Sequence, residues 1–187
     1  MTTCMECGFA YELTLAPAVS ALAKGHAGEY ADLLGGETAV LRRRSAPQVW
    51  SALEYACHVR DVLLAQRERV LAARRRETPV AEPMGRDERV DHDGYDQQQP
   101  ADVARQLQDA ALLFANVLDR LSPADWGRTV VYTYPEREER SLSWLAVHTL
   151  HELRHHLLDM RCQLERHNTR HNNGGSDLGD VPAPSAD

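Results

Sequence analysis

Apolar residues recurring three and four apart are the feature that most constrains this chain. Within residues 100–121, Val103, Leu107, Ala110, Leu113, Val117 and Leu121 fall at that spacing. On a helix they form one stripe, and a stripe of that kind must be covered by other helices. Residues 17–34, 47–76 and 141–166 also read as helical. Pro17 opens the first of these and Gly35-Gly36 stops it. Ser45 is the predicted cap of the second, with Pro47 at an early helical position. Four helices and no convincing sheet predict an all-α four-helix bundle.

The connection between the second and third helices, residues 78–99, is long and polar. It contains Pro79, Pro83, Gly85, Gly94 and three consecutive glutamines. Connections of that length are uncommon and often functional, so a crossover or a lid is expected. Residues 129–134, rich in β-branched and aromatic side chains, predict a short extended segment. The organisation expected is an N-terminal segment 1–14, a bundle 15–166 and a disordered tail 167–187. The tail is dominated by Asn, Gly, Ser, Asp and Pro.

A chain of 187 residues is long enough for one domain with a sizeable core. Hydrophobic content of 43% and charged content of 26% are ordinary for a globular protein. The net charge of −7 argues against nucleic acid as a partner, since phosphate binding needs clustered cations. No apolar run is long enough to span a bilayer, and no basic-then-apolar leader opens the chain. A cytoplasmic location is therefore expected, with Cys4, Cys7, Cys57 and Cys162 reduced rather than paired as a disulfide framework. Lys24 is the only lysine; positive charge is almost all arginine, a codon signature of a GC-rich genome.

Residues 148–159 hold four of the nine histidines, together with Glu152 and Asp159. Ligands four apart share a helix face, so a helix can offer two to one divalent cation. Leu142, Ala146, Leu150, Leu153, Leu157, Met160 and Leu164 mark the core stripe of this helix. At about 100° per residue, His156 falls beside the stripe and Glu152 just beyond it on the same flank. His155 points away toward solvent, His151 lies on the opposite flank and His148 near the back. The pair Glu152/His156 is therefore favoured as metal ligands, with His148, His151 and His155 as alternatives. Asp159 is placed to orient His156. His58, flanked by Leu53, Cys57, Val59 and Val62 in the second helix, is the expected third ligand. Asp61 shares its face and is a candidate catalytic base.

The opening Cys4-Met-Glu-Cys7-Gly8 has half the spacing of a zinc ribbon. With no second such pair, a four-sulfur site in one chain is impossible. A site shared across a dimer, a redox pair and a mixed site with His26 are alternatives to the favoured reading of no catalytic role. Cys57 points about 100° from His58 and reads as core.

His58 together with Glu152-x-x-x-His156-x-x-Asp159 resembles the DinB/YfiT-like superfamily, over roughly residues 15–165. The glutamate-containing form is similar to its mycothiol-dependent maleylpyruvate isomerase branch. The resemblance implies a four-helix bundle holding a divalent metal, zinc first and nickel second. It also implies a low-molecular-weight thiol of the mycothiol type as co-substrate, activated as a metal-bound thiolate for S-transfer or isomerisation. Arginine-heavy usage favours the actinobacterial thiol over bacillithiol. Arg60 and Tyr95 are the expected contacts to that thiol. Further wall candidates are Arg67, residues 86–89 and residues 132–134. The alternatives are a metal-dependent hydrolase on the same site, with Glu152 or Asp61 as base, and a non-catalytic stress-associated bundle. Partners are small molecules, with a homodimer left open.

Overall fold

The computed structural model describes residues 3–133 and 136–173, with side chains up to residue 166. A 3-10 turn, Leu13–Ala18, leads into α1, Val19–Leu34. The short α2, Thr38–Leu41, precedes α3, Ala52–Arg75. The connection that follows carries β1, Val80–Ala81, then α4, Arg86–His92, and a 3-10 turn at Tyr95–Gln97. Next come α5, Pro100–Leu118, β2, Thr129–Tyr132, β3, Glu138–Ser141, and α6, Leu142–Asn173.

The bundle is a ring of four long helices. α1 packs on α5, α5 on α3, α3 on α6, and α6 back on α1. Tyr30, Leu53, Leu63, Leu107, Phe114, Leu150 and Met160 fill its centre, all fully buried. The Tyr30 hydroxyl donates to the Leu153 carbonyl at 2.9 Å, so the one polar atom of that ring is satisfied and ties α1 to α6. Among the described residues no helix is long and apolar enough to cross a membrane.

Three features differ from the sequence expectation. The second helix begins at Ala52, capped by Ser51 rather than Ser45. Ser51 Oγ accepts from the Glu54 N–H, and the Glu54 carboxylate accepts from the Ser51 N–H at 2.7 Å. This reciprocal capping box satisfies two otherwise unpaired donors, which one serine ahead of a proline cannot do. Second, a small sheet is present, in the order β1-β2-β3. β1 runs parallel to β2, with Val80 opposite Val131, and β3 runs antiparallel to it, with Arg140 opposite Val130. A two-residue strand and the polar run Glu138–Ser141 give no alternation to read. Third, the connection 78–99 is structured. Gly85 and Gly94, at φ 65° and 58°, occupy the left-handed region where glycine is unstrained, and each precedes one of its two helical turns. The backbone of α6 continues beyond Arg166 to Asn173, and the rest of the predicted tail lies outside the described residues.

Candidate metal centre

α3 and α6 lie side by side and bring three donors together. His58 from α3 and Glu152 and His156 from α6 each offer a ligand atom, all within 4.8 Å of one another. His58 Nε2 is 3.9 Å and His156 Nε2 3.5 Å from the same oxygen, Glu152 Oε2. The two imidazole rings stand edge to face with centroids 5.0 Å apart. His58 is only 4% exposed, and its Nδ1 is buried with no hydrogen-bond partner. Asp159 Oδ2 lies 2.9 Å from His156 Nδ1, which leaves Nε2 turned toward Glu152. A carboxylate behind a ligand imidazole fixes its tautomer and orientation.

These donors suit a divalent cation. Two imidazoles and one carboxylate form a donor set used by catalytic zinc, in which the fourth position stays open. Burial pushes the Glu152 carboxyl up, but the neighbouring imidazoles of His151, His156 and His58 outweigh it and hold it well below the usual range. Burial also lowers His58, keeping the imidazole neutral. For His156 burial acts downward, yet Asp159 and Glu152 raise it to about 9. Cation binding there must release a proton.

Aromatic side chains border the centre. Trp50 packs on His58 with ring centroids 5.2 Å apart, and Tyr55 stacks on His156 at 5.3 Å. The Arg86 guanidinium lies 5.7 Å from the Trp50 ring. The wall reading singled out residues 86–89, but neither Trp50 nor Tyr55. Trp50 lies just ahead of the Ser51 cap of α3, outside the periodic stretch, and Tyr55 occupies one flank of His58 that periodicity gives no reason to prefer. A cavity of about 350 Å³ lies elsewhere, between α3 and β1, lined by Arg69, Val80, Met84 and Arg89 and by no member of the triad.

Asp61, Arg60 and Tyr95 take a different place from the one expected. Asp61 accepts from Arg60 Nε at 2.8 Å, from Arg89 Nη1 at 2.9 Å and from the Tyr95 hydroxyl at 2.7 Å. Arg60 also donates to Gln98 and Gln106. Tyr95 is fully buried, so it offers no surface to a thiol. Burial would raise the Asp61 carboxyl, but Arg60, Tyr95 and Arg89 hold it below its usual value. An anion so fully engaged is a poor base, and the network instead fastens the connection to α3. Arg67 pairs with Glu68 of its own helix. Tyr132 is buried, with its hydroxyl held by Gln66 and Arg69. Tyr134 lies outside the described residues.

His148, His151 and His155 of α6 are largely covered rather than solvated. His148 stacks on Trp144 at 4.6 Å, and its Nδ1 meets the Tyr11 hydroxyl at 3.0 Å. Burial drives its pKa down to about 4. His151 is 9% exposed. His155, expected to face solvent, has a side chain only 16% exposed because the N-terminal turn covers it. Its Nδ1 lies 3.8 Å from Cys4 Sγ and its Nε2 3.3 Å from Glu6 Oε2. The Cys7 N–H directed at Cys4 is the main cause holding that thiol down, at about 6. His26 pairs with Glu29 at 2.8 Å, so the mixed site with His26 does not form. Cys57 is buried and its thiol is pushed up to about 12 by that burial, in keeping with a core role.

The DinB superfamily model matches residues 28–160. Among solved structures, the fold resembles YfiT from Bacillus subtilis, described as a probable metal-dependent hydrolase with an unusual four-helix bundle topology. The TM-score is 0.71 at 14% identity, over 89% of this chain and 94% of that one. It also resembles the mycothiol-dependent maleylpyruvate isomerase, with a TM-score of 0.64 at 18% identity over 86% of this chain. The match spans 63% of the isomerase's length, less than two thirds. No curated protein matches the sequence. At such identities the two structures speak to fold, whereas the family model covers most of this chain: the protein belongs to the DinB superfamily.

Proposed function

We propose that this protein is a metal-dependent enzyme that takes a low-molecular-weight thiol of the mycothiol type as co-substrate for S-transfer or isomerisation. His58, Glu152 and His156 would hold one divalent cation, zinc in the first instance and nickel in the second. The observation that carries the reading is the convergence of three donors from α3 and α6, all within 4.8 Å of one another, with the His58 imidazole buried between the helices. A cation there supplies Lewis acidity that brings the pKa of a thiol or a water molecule toward neutrality. Glu152 contributes the negative charge that offsets the cation. Asp159 keeps the Nε2 of His156 directed inward. Trp50 and Tyr55 cover the outer flank of the two imidazoles and restrict water. Arg86, with roughly half its side chain exposed, supplies positive charge at the rim for an anionic substrate group. A cytoplasmic setting suits a thiol co-substrate, because thiols are kept reduced there.

Hydrolysis at the same centre is the second reading, favoured by the description of YfiT, nearly all of whose length this fold spans. Zinc-loaded protein incubated with an electrophile, with and without mycothiol, separates the two. Thiol-dependent consumption that disappears in His156→Ala supports S-transfer. Turnover of an ester or amide indifferent to thiol supports hydrolysis.

A further inference from the structure

Four donors that the His58 centre does not use meet on the neighbouring face of α6. Cys4, Cys7, His151 and His155 each offer one sulfur or nitrogen, and these atoms all lie within 4.8 Å of one another. We propose that they form a second metal site, a closed two-cysteine, two-histidine zinc centre that fastens the N-terminal turn to α6.

The turn is shaped for this task. The Cys4 N–H donates to the Phe9 carbonyl and the Gly8 N–H to the Cys4 carbonyl, both at 2.9 Å, while Thr3 bridges Ala10. Gly8, at φ 69°, takes the left-handed conformation that a side chain would strain. The backbone N–H groups of Cys7 and Glu6 are directed at the Cys4 sulfur, as thiolates bound to a metal require of their surroundings. Phe9 is 4% exposed, packs on the His151 ring at 5.4 Å and lies under the Arg154 guanidinium. Both sulfurs are thereby held against α6.

The imidazoles match the turn. His155 has Glu6 Oε2 3.3 Å from Nε2 and Cys4 Sγ 3.8 Å from Nδ1. His151 has Glu152 Oε1 3.3 Å from Nδ1, but neither of its buried ring nitrogens has a hydrogen bond of acceptable geometry. Leaving a buried polar atom unpaired costs about 1–3 kcal/mol. A cation among the four donors would satisfy one nitrogen of each ring, and the carboxylate behind it would fix the other. Two thiolates and two imidazoles select zinc over magnesium or calcium. All four vertices come from the protein, so this centre has no position for a substrate.

Glu152 joins the two centres. Its Oε2 faces His58 and His156, and its Oε1 faces His151. A His151 ring fixed by zinc therefore braces a ligand of the open centre. The proposal does not depend on catalysis at His58, since the four donors are distinct from His58 and His156.

The test uses the full chain, purified reduced and loaded with zinc or cobalt(II). Two ions per chain are expected, falling to one in Cys4→Ser/Cys7→Ser. Cobalt-loaded wild type and His156→Ala should both show a thiolate-to-cobalt charge-transfer band, and the double cysteine variant should lack it. Chelation of the wild-type zinc form should expose two further thiols to a disulfide reagent, a readout that needs no variant to fold. The proposal is overturned by a cobalt form with no charge-transfer band. A thiol count unchanged by chelation, or a helical double variant that binds as much zinc as wild type, overturns it equally. Failure of the open-centre reading looks different: His156→Ala keeps the wild-type stoichiometry while the charge-transfer band is untouched.

Discussion

Glu152 on α6, with a fifth of its side chain exposed, and Asp61 on α3, which is buried, are both carboxylates held below their usual pKa. Their neighbours set them apart. Glu152 is surrounded by His58, His148, His151 and His156. Asp61 is surrounded by Arg60, Arg89 and the Tyr95 hydroxyl. Imidazoles can shed a proton and turn a lone pair toward a cation, whereas a guanidinium can do neither. The same carboxylate chemistry thus makes a ligand cluster in one place and a permanently neutralised strut in the other.

The largest effects are expected at the imidazole-ringed carboxylate. Glu152→Gln and His156→Ala should each abolish binding of the open-centre cation, read by metal analysis after gentle dialysis, and with it any turnover. Unchanged stoichiometry in either variant would place the centre elsewhere. Next in size is the strut. Asp61→Asn leaves Arg60, 7% exposed, without its main counter-charge. Breaking a buried pair in this way costs about 3–5 kcal/mol, measurable by urea unfolding. In metal-free protein Glu152→Gln should cost less, because His156 can deprotonate and leave no uncompensated charge. Equal losses in the two variants would erase the contrast between releasable and fixed counter-charges.

The meeting of His58, Glu152 and His156 was legible because helical periodicity carries it. The flank argument that selected Glu152 and His156 over neighbouring pairs needs only an approximate angle per residue, and the apolar flanks of His58 foretold its burial. The strut was not legible. Asp61 shares a helix with His58, but Arg89 and Tyr95 arrive from a connection whose path has no period to read. His155 failed for a related reason: a helical wheel reports its direction correctly relative to the bundle, but what covers it is a turn outside the bundle. Ser51-x-x-Glu54 was present as a signal and was overshadowed by Pro47, a stronger punctuation mark with weaker hydrogen-bonding consequences.

A smaller effect is expected one layer behind the open centre. Asp159→Asn keeps the shape but weakens the acceptor opposite His156 Nδ1. Such supporting carboxylates are worth roughly 10–100-fold in metal affinity. Competition against a chromophoric chelator should show that loss, with stoichiometry at saturating zinc retained. An affinity equal to wild type would mean that stacking on Tyr55 alone orients the ring.

Glu54, on α3, is a third carboxylate and gives the smallest effect. Its partners are one Arg44 guanidinium, about a third exposed, and the Ser51 cap. Burial raises its pKa, but Arg44 and Ser51 outweigh it and the net shift is downward. Because the folded value is depressed, its contribution to stability is complete above the unfolded value of about 4.3 and disappears as pH falls through the folded value. Ser51→Ala should cost about 1 kcal/mol at neutral pH. Glu54→Gln should be less stable than wild type at neutral pH, with the gap narrowing as pH falls below the unfolded value. A gap independent of pH would show that Glu54 acts through shape rather than charge, and would set it apart from both Glu152 and Asp61.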